Sequence, residues 1–385
     1  MHIDLPYHLP CIEDEEINEV VETLKSGWLT TGPRTFQFEE DFKKYAESAH
    51  AIGLNSCTAG LHLTFVANEF SPGDEVITTT MTFPATANAI IHAGLRPVFV
   101  DIELGTLNID VNKIEEKITP NTKAIVPVHF AGHPCDMDPI MDLAKKYKLL
   151  VVEDAAHALE TKYKGRKIGN LGNPTAFSFY ANKNITTGEG GMLTLNDDSL
   201  AEKIRIMRLH GISRDAWKRY GKSGFKHWEL HVAGYKYNMS DINAAIGIHQ
   251  LKKVNRFFQL RKQYASLYDL AFRQIAELEI LETRKYAETS HHLYIISLKL
   301  DQLKITRDEF INAIQSRGIG VAVNYKALHL QPFYQKECDV IQDTFPIATH
   351  YSESVISLPL YPRMSIQDVE RVIGVISDLI IRFRR

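Results

Sequence analysis

The sequence has few cysteines and no closely spaced pair of them. Its 385 residues include four cysteines at widely separated positions: Cys11, Cys57, Cys135 and Cys338. Disulfide frameworks and zinc sites both depend on regularly or closely spaced cysteines, so neither is indicated. A reducing cytoplasm fits this cysteine usage, and no metal site is expected.

Long apolar runs and long basic runs are also missing. No stretch approaches the roughly 20 consecutive apolar residues of a membrane-spanning helix. The opening MHIDLPYHLP has no basic segment followed by an apolar one. The formal net charge is −3, which argues against nucleic acid as the main partner. We therefore expect a cytoplasmic protein that is neither exported nor inserted into a membrane.

The apolar residues that are present alternate in a pattern typical of a sheet. At 44% hydrophobic, a chain of 385 residues can bury a large core and is long enough for two domains. Seven short apolar runs are predicted strands: residues 51–54, 75–78, 97–101, 124–128, 149–152, 176–179 and 192–195. Helical stretches between most of them predict a three-layer α/β fold with a mainly parallel sheet. The last two strands are joined without a clear helix, so the seventh is expected to run antiparallel.

The rest of the chain has a different alternation, which predicts a smaller α+β domain. A long helical stretch beginning near residue 241 links it to the sheet. LYIISLKL and GVAVNY are predicted strands. Thr306 with Glu309, and Ser365 with Asp368, form capping boxes that open two helices. We predict a large domain over residues 1–249 and a small domain over residues 250–385.

The stretch SFYANKNITTGEGG places Lys183 on a loop between two predicted core strands. A lysine there is either a solvated loop charge or an amine held in a pocket for covalent chemistry. Ser178 presents a hydroxyl at the end of the preceding strand. Thr186, Thr187 and the glycines that follow offer small groups and backbone N–H to an anion. A desolvated lysine beside a phosphate cradle suits a pyridoxal phosphate Schiff base.

Acidic and polar residues also follow other predicted strands. In LLVVEDAAHALE, Glu153 and Asp154 end the fifth strand, where a carboxylate can pair with a pyridinium nitrogen or Asp154 can cap a helix. His157, three residues on, is by itself typical of a packed or capping histidine. NSCTAGLHL, residues 55–63, opens a helix whose free N–H groups suit a phosphate. Phe83 follows the second strand and, taken alone, favours a place in the core.

Together, EDAAHA, SFYANKNITTGEGG, NSCTAGLHL and GYKYNMSDINAAIG resemble the DegT/DnrJ/StrS sugar aminotransferases, a family within the fold type I pyridoxal phosphate enzymes. The resemblance covers nearly the whole chain. It implies pyridoxal 5′-phosphate as cofactor, Lys183 as the Schiff-base lysine and proton carrier, and Asp154 as the partner of the pyridinium nitrogen. The other implied cofactor contacts are Thr58 and Ala59 at the phosphate, Phe83 on the ring face, His157 near the phenolic oxygen, and Ser178. Cys57 departs from the family pattern, which often has glycine there.

The resemblance also implies a partner chain and substrates. Asn238 is implied to reach the cofactor phosphate of a second subunit, in a homodimer with shared active sites. SGWLTTGP, VPVHFAGHPCDMD and SLPLYP are most similar to the branch that aminates UDP-linked 4-keto sugars, such as UDP-4-amino-4-deoxy-L-arabinose aminotransferases. That branch implies L-glutamate as amino donor, with 2-oxoglutarate as its product, and a nucleotide-linked keto sugar as acceptor. Candidate substrate contacts, each of which also fits an ordinary turn or surface position, are Thr31, Trp217, Arg219 and His329.

Two other functions are compatible with the resemblance. Some relatives are deoxysugar dehydratases, which have histidine in place of the Schiff-base lysine, so Lys183 argues against this function. A non-catalytic regulatory member is the second alternative. The intact set of Lys183, Asp154, Ser178 and Thr58 disfavours it, because a protein without catalysis has no need of that combination.

Overall fold

The computed structural model describes residues 2–212, 228–338 and 344–385. Its α-helices are α1 Asp14–Ser26, α2 Pro33–Ala46, α3 Cys57–Ala67, α4 Pro84–His92, α5 Met137–Tyr147, α6 Asp198–Met207, α7 Asp241–Phe272, α8 Arg307–Ser316, α9 Pro332–Glu337, α10 Pro346–Ser354 and α11 Ile366–Phe383. Its strands are β1 His50–Leu54, β2 Glu75–Thr79, β3 Arg96–Val100, β4 Thr122–Val126, β5 Leu150–Val151, β6 Glu153–Asp154, β7 Lys162–Tyr163, β8 Arg166–Lys167, β9 Thr175–Ser178, β10 Gly191–Leu195, β11 Leu278–Ile280, β12 Ala287–Glu288, β13 Tyr294–Leu298 and β14 Val355–Leu358. None of the helices in these described ranges is both long and apolar enough to cross a membrane.

The central sheet has two halves, with strand orders β3-β2-β4-β5 and β6-β9-β10-β1, which join where β5 is followed by β6. β5 and β6 are successive parts of one strand, because Val152 and Asp154 donate backbone hydrogen bonds to Ile125 (3.0 Å) and Pro127 (2.9 Å) beside them. β2 pairs in parallel with β3 and β4, and β6 in parallel with β9. β10 is antiparallel to both β9 and β1. The predicted mainly parallel sheet with an antiparallel seventh strand is therefore confirmed.

Helices cover both faces of this sheet. Ile77 and Ile125 face the cluster that includes residues of α2, α5 and α7. Val76 and Val126, their neighbours in sequence, face the opposite cluster, which includes residues of α3, α4 and α6. Side chains alternate between the two faces of a strand, so strands buried on both faces have the continuous apolar runs seen in the sequence. The predicted three-layer α/β architecture follows from this double burial.

The smaller α+β unit is built on the antiparallel sheet β11–β13–β14. Both predicted capping boxes are present, at the start of α8 and of α11. The strand predicted in GVAVNY is wrong, because within it only Ala322 forms a bridge, to Ser357. The N-terminal segment takes one of the backbone groups of this stretch, because Gly320 donates its N–H to the Leu5 carbonyl at 2.8 Å.

Helix α7 connects the two units without interruption. It packs on α1 and α2 at the large sheet, and on α11 and β11 in the small unit. The predicted boundary between residues 249 and 250 falls inside this helix. The division into two domains at that position stays a prediction.

Candidate active site

A cavity of about 340 Å³ opens at the carboxyl ends of the parallel strands. Parallel strands of a doubly wound sheet bring their carboxyl ends to one edge, which is why loops distant in sequence converge there. Six of the predicted cofactor residues line the cavity: Thr58, Phe83, Asp154, His157, Ser178 and Lys183. Other lining residues include Ser56, Cys57, Thr82, Tyr180, Asn182 and Tyr325.

Lys183 lies on the loop between β9 and β10, half-buried and facing this cavity. Its backbone N–H donates to the Tyr180 carbonyl at 2.9 Å, and Thr187 N–H donates to the Phe179 carbonyl at 2.9 Å. The loop is thus closed by its own backbone hydrogen bonds. Burial lowers the pKa of Lys183 to about 8, although the Asp154 carboxylate opposes the shift. A substantial fraction of the amine is therefore neutral near physiological pH, as a nucleophile requires.

Asp154 is 5% exposed and ends β6. Its Oδ2 accepts a hydrogen bond from the Thr86 hydroxyl at 2.8 Å. Its Oδ1 accepts from the backbone N–H of Ala156 at 3.1 Å. The bond to Ala156 is a local contact like that of a helix cap. The same carboxylate also lines the cavity, so the two predicted roles of Asp154 do not exclude each other. The two donors stabilise the ionised form in a place where an unpaired buried charge is costly.

The N-terminus of α3 forms another wall of the cavity. Ser56 caps the helix, and its Oγ accepts from the backbone N–H of Ala59 at 3.1 Å. Ala59 is buried and does not line the cavity, so its predicted phosphate contact is not supported by this placement. Thr58 does line the cavity, in the first helical turn, where backbone N–H groups lack partners within the helix.

Gly191 allows β10 to approach this helix terminus closely. A Cβ built on Gly191 would overlap the backbone of Ser56 and Cys57. The Cys57 thiol points instead toward the sheet, 3.4 Å from the Ala176 carbonyl, and burial raises its pKa well above the ordinary value. The Cys57 side chain is accommodated at the helix terminus because its thiol lies against the sheet.

His157 is held by aromatic rings and a tyrosine hydroxyl. Its Nε2 is 3.1 Å from the Tyr325 hydroxyl, and its ring centroid is 4.3 Å from that of His292. Burial, followed by the charge of Lys183, lowers the pKa of His157 well below its ordinary value. The imidazole is therefore neutral and available for hydrogen bonding. Phe83 is 60% exposed at the mouth, with its ring centroid 6.0 Å from that of Tyr325, so its place is not in the core.

The two predicted substrate contacts that the structure describes, His329 and Thr31, do not line this cavity. His329 is fully buried, with its ring nitrogens 2.7 Å from Thr80 Oγ1 and 2.9 Å from Thr349 Oγ1. Both ring nitrogens are engaged in the interior, so a substrate contact by His329 is not supported. Thr31 is also buried, and donates to the Met239 carbonyl at 2.5 Å. Trp217 and Arg219 fall outside the described residues.

Asn238 does not line the cavity of its own chain. Its Nδ2 donates to Thr31 Oγ1 at 2.7 Å, and its Oδ1 accepts from Lys236 Nζ at 2.5 Å. It forms a bridge with Leu54, at the end of β1. The predicted contact between Asn238 and the cofactor phosphate of a second subunit stays a prediction.

Sequence reasoning missed several residues around the cavity. Tyr325, the last residue of the predicted strand GVAVNY and four residues before His329, lines the cavity. Asn182 and Asn184 flank Lys183, and the repeated asparagine in NKN was the available signal. His292 has no distinguishing pattern in sequence, because only the fold brings it against His157.

The residues present fit pyridoxal phosphate. The Lys183 amine, which is partly neutral near physiological pH, can bond to the aldehyde of the cofactor. The carboxylate of Asp154 can pair with its pyridinium nitrogen. The N-terminus of α3, where Thr58 lines the cavity, suits its phosphate. The Nδ1 of His157, buried and without a protein partner, is a further polar group that a ring substituent can satisfy.

Comparison with known proteins agrees with this fit. Residues 10–377 match the DegT/DnrJ/EryC1/StrS aminotransferase family. The spore coat polysaccharide biosynthesis protein SpsC of Bacillus subtilis is 48% identical over 377 residues, covering 98% of this chain and 97% of that protein. The UDP-4-amino-4-deoxy-L-arabinose–oxoglutarate aminotransferase of Shewanella sediminis is 39% identical over 382 residues, covering 98% of each.

The fold also matches a solved structure with cofactor. The pyridoxal phosphate form of the putative sugar aminotransferase Spr1654 from Streptococcus pneumoniae superposes with a TM-score of 0.89 at 34% identity, covering 96% of this chain and 97% of that one. Sequence, fold and cavity chemistry thus point the same way. The chain belongs to the DegT/DnrJ/EryC1/StrS family of pyridoxal phosphate-dependent sugar aminotransferases.

Proposed function

We propose that this aminotransferase takes its amino group from L-glutamate, releasing 2-oxoglutarate, and delivers it to carbon 4 of a UDP-linked 4-keto sugar. The observation that carries the proposal is the single cavity in which Lys183, Asp154 and the N-terminus of α3 converge. The choice of donor, nucleotide and carbon is supported by the Shewanella relative, whose name gives a UDP-linked 4-amino sugar and oxoglutarate. The product is an amino sugar for glycan biosynthesis.

The cofactor, when bound, supplies an electron sink that stabilises negative charge at the carbon losing a proton. We assign the proton transfer to Lys183, because its pKa of about 8 lets the amine both accept and return a proton near neutral pH. We assign Asp154 to the pyridinium nitrogen of the cofactor, because the carboxylate of Asp154 would stabilise the positive charge on that nitrogen. Thr86 supports that ionised form from behind, through its 2.8 Å hydrogen bond.

The walls of the cavity suit a large acceptor. Phe83 and Tyr180, 60% and 47% exposed, stand at its mouth and present ring surface to solvent. Exposed aromatic faces next to a catalytic cavity are typical of sites that bind sugars or bases by stacking. A nucleotide-linked sugar has both, so its keto carbon can enter while its nucleotide stays near the mouth.

The deoxysugar dehydratases have histidine in place of the Schiff-base lysine, whereas this chain has lysine at position 183. A regulatory protein would not need a lysine whose pKa is lowered beside a stabilised carboxylate. Both alternatives are therefore less well supported than amino transfer.

A substrate panel tests the proposal. Purified enzyme with glutamate is given UDP-, dTDP- and GDP-linked sugars carrying the keto group at carbon 3 or 4, and release of 2-oxoglutarate is followed. We expect the highest kcat/KM with a UDP-linked 4-keto sugar. A higher value with another nucleotide or with a 3-keto sugar would overturn this assignment of acceptor.

Two lysine variants accompany the panel. Lys183→Ala should abolish turnover, because the loss of the proton carrier alone costs roughly 10²–10⁴-fold. Lys164→Ala is the matched control, since Lys164 is an exposed lysine paired with Asp138 at 2.5 Å on the protein surface. The control should keep wild-type rates. Near-normal turnover by Lys183→Ala without added amine would remove Lys183 from the mechanism.

A further inference from the structure

The residue after Lys183 is tied into the interior by its side chain. Asn184 is buried, and its Nδ2 donates to Glu160 Oε2 at 2.6 Å and to the Ser290 carbonyl at 3.2 Å. Its Oδ1 is 2.9 Å from Nδ1 of His292. Because carboxylate and carbonyl oxygens only accept, these partners fix the orientation of the amide, and Nδ1 of His292 must be the donor.

These partners are themselves buried. Glu160 and His292 are both buried, and burial holds the pKa of His292 well below its ordinary value, so its ring is neutral. The backbone N–H of His292 donates to the Ala131 carbonyl at 3.1 Å. Burial also raises the pKa of Glu160 to about 7, which the hydrogen bond from Asn184 opposes. Both polar atoms of the Asn184 side chain are therefore hydrogen-bonded, and each partner residue is buried.

The same segment, residues 290–292, also contacts His157. The Ser290 hydroxyl donates to the His157 carbonyl at 2.6 Å, and the His292 ring lies on the His157 ring at 4.3 Å. Gly132 makes room for this contact, because a Cβ there would overlap the Ser290 hydroxyl. One short segment, just before β13 of the smaller sheet, thus touches both the Lys183 loop and His157.

We infer that Glu160 and His292 are positioning residues, which hold the Lys183 amine in place through the side chain of Asn184. The inference rests on the proposed role of Lys183 as the amine that joins the cofactor aldehyde. The amine of a flexible lysine reaches its target only if its Cα is fixed, and the three hydrogen bonds of Asn184 fix the adjacent peptide. Through residues 290–292, the position of the smaller unit is linked to that of the reactive amine.

The test compares two forms of the cofactor. Pyridoxal phosphate can bond to the Lys183 amine, whereas pyridoxamine phosphate has no aldehyde and cannot. Calorimetric titration of the apoenzyme with each gives two dissociation constants. In Asn184→Ala we expect affinity for pyridoxal phosphate to fall about tenfold, with affinity for pyridoxamine phosphate unchanged within about twofold. A defect that merely loosens the fold would weaken both ligands equally.

The chain supplies a matched control. Asn173 is also a buried asparagine whose Nδ2 donates to a buried carboxylate, Glu153 Oε1, at 2.8 Å. Glu153 precedes Asp154 on the same strand, so the two side chains point to opposite faces of the sheet. Asn173→Ala should lower stability like Asn184→Ala, yet leave the ratio of the two dissociation constants as in the wild type.

Conservative substitution supplies a second arm if Asn184→Ala does not fold. Glu160→Gln keeps an acceptor for the amide and should keep the wild-type ratio, whereas Glu160→Ala and His292→Ala should change it as Asn184→Ala does. The inference is overturned if these alanine variants change both affinities equally or neither. Failure of the proposed role of Lys183 is seen separately, because Lys183→Ala would then retain a wild-type ratio.

Discussion

Thr86, in the first turn of α4, donates a 2.8 Å hydrogen bond from its hydroxyl to Oδ2 of Asp154, at the end of β6. Thr82 Oγ1 lies 2.8 Å from the same hydroxyl, so the carboxylate ends a short chain of hydroxyl groups. Thr86 is fully buried. A buried hydroxyl that donates to a carboxylate stabilises its charge, and the charge of Asp154 is what the proposed site needs.

Replacing Thr86 by valine should therefore slow the chemistry. Thr86→Val keeps the shape of the side chain but leaves Oδ2 of Asp154 without this donor, at a cost of about 1.5 kcal/mol or roughly tenfold in rate. Single-turnover reaction with glutamate measures the effect. The control is Thr78→Val, because Thr78 is also buried but donates to the Val126 carbonyl at 2.9 Å. Equal rates in the two variants would show that the bond to Asp154 has no catalytic effect.

The lowered pKa of Lys183 predicts a pH dependence. The protonated amine is unreactive toward an aldehyde, so the rate of bonding to pyridoxal phosphate should rise about tenfold per pH unit below pH 8 and level off above it. An unperturbed lysine would keep rising to about pH 10.4. Stopped-flow mixing of apoenzyme and cofactor from pH 6 to 10 measures this midpoint.

The same titration with N-acetyl-lysine corrects for protonation of the cofactor itself. A midpoint in the protein that coincides with that of the free amine would contradict the burial effect. A midpoint about two pH units lower would agree with it.

Much of the fold was predictable because the sheet is buried on both faces. Ile77 and Val76 both need apolar surroundings, on opposite faces, and that produces the continuous runs from which the strands were predicted. The capping boxes at Thr306 and Ser365 were equally predictable, because each depends only on residues three positions apart in sequence. The strand predicted at residues 320–325 failed because its backbone bonds to two different distant segments, at Leu5 through Gly320 and at Ser357 through Ala322, and no local pattern reveals either.

The candidate site was predictable only in part, for a related reason. Lys183, Asp154 and Thr58 follow strands or open helices, and the topology of a parallel sheet brings such positions together. His329 was misplaced because a loop histidine in sequence does not show whether its nitrogens find partners, and here Thr80 and Thr349 provide them. Contacts such as His292 on His157 depend on how the two units dock, so sequence alone gives no sign of them.

A glycine pair tests the close approach of β10 to α3. Gly191→Ala would force a methyl group into the backbone of Ser56 and Cys57, so we expect a loss of about 2–4 kcal/mol in the free energy of unfolding and weaker binding of cofactor phosphate. Gly374→Ala is the control, because there the added methyl group meets no other described part of the chain. Gly374 is exposed within α11, and apart from its chain neighbours and the adjacent helix backbone no described atom lies within 4 Å of the added Cβ, so alanine should stabilise by about 0.5–1 kcal/mol. Chemical denaturation measures both, and wild-type stability of Gly191→Ala would contradict the overlap.

The position of Asn238 leads to a prediction about assembly. Asn238 does not line the cavity of its own chain, and Leu230 and Val232, eight and six residues before it in sequence, are 62% and 39% exposed. Exposed apolar side chains in one segment of the chain are typical of a surface covered by a partner. We propose a homodimer in which Asn238 of each chain contacts the cofactor phosphate of the other, with an interface on the order of 2,000–5,000 Å².

Mixing two inactive variants tests this arrangement. Asn238→Asp, which places a negative charge against the phosphate, should be severely impaired, as should Lys183→Ala. A hybrid dimer of the two has one site with both lesions and one with neither, because each site takes its lysine from one chain and its asparagine from the other. After subunit exchange, half of the dimers in an equal mixture are hybrids, so activity should recover to about a quarter of the wild-type value per chain. Mixtures that exchange subunits, as followed by mass-labelled chains, and yet stay inactive would mean that each site is built within one chain.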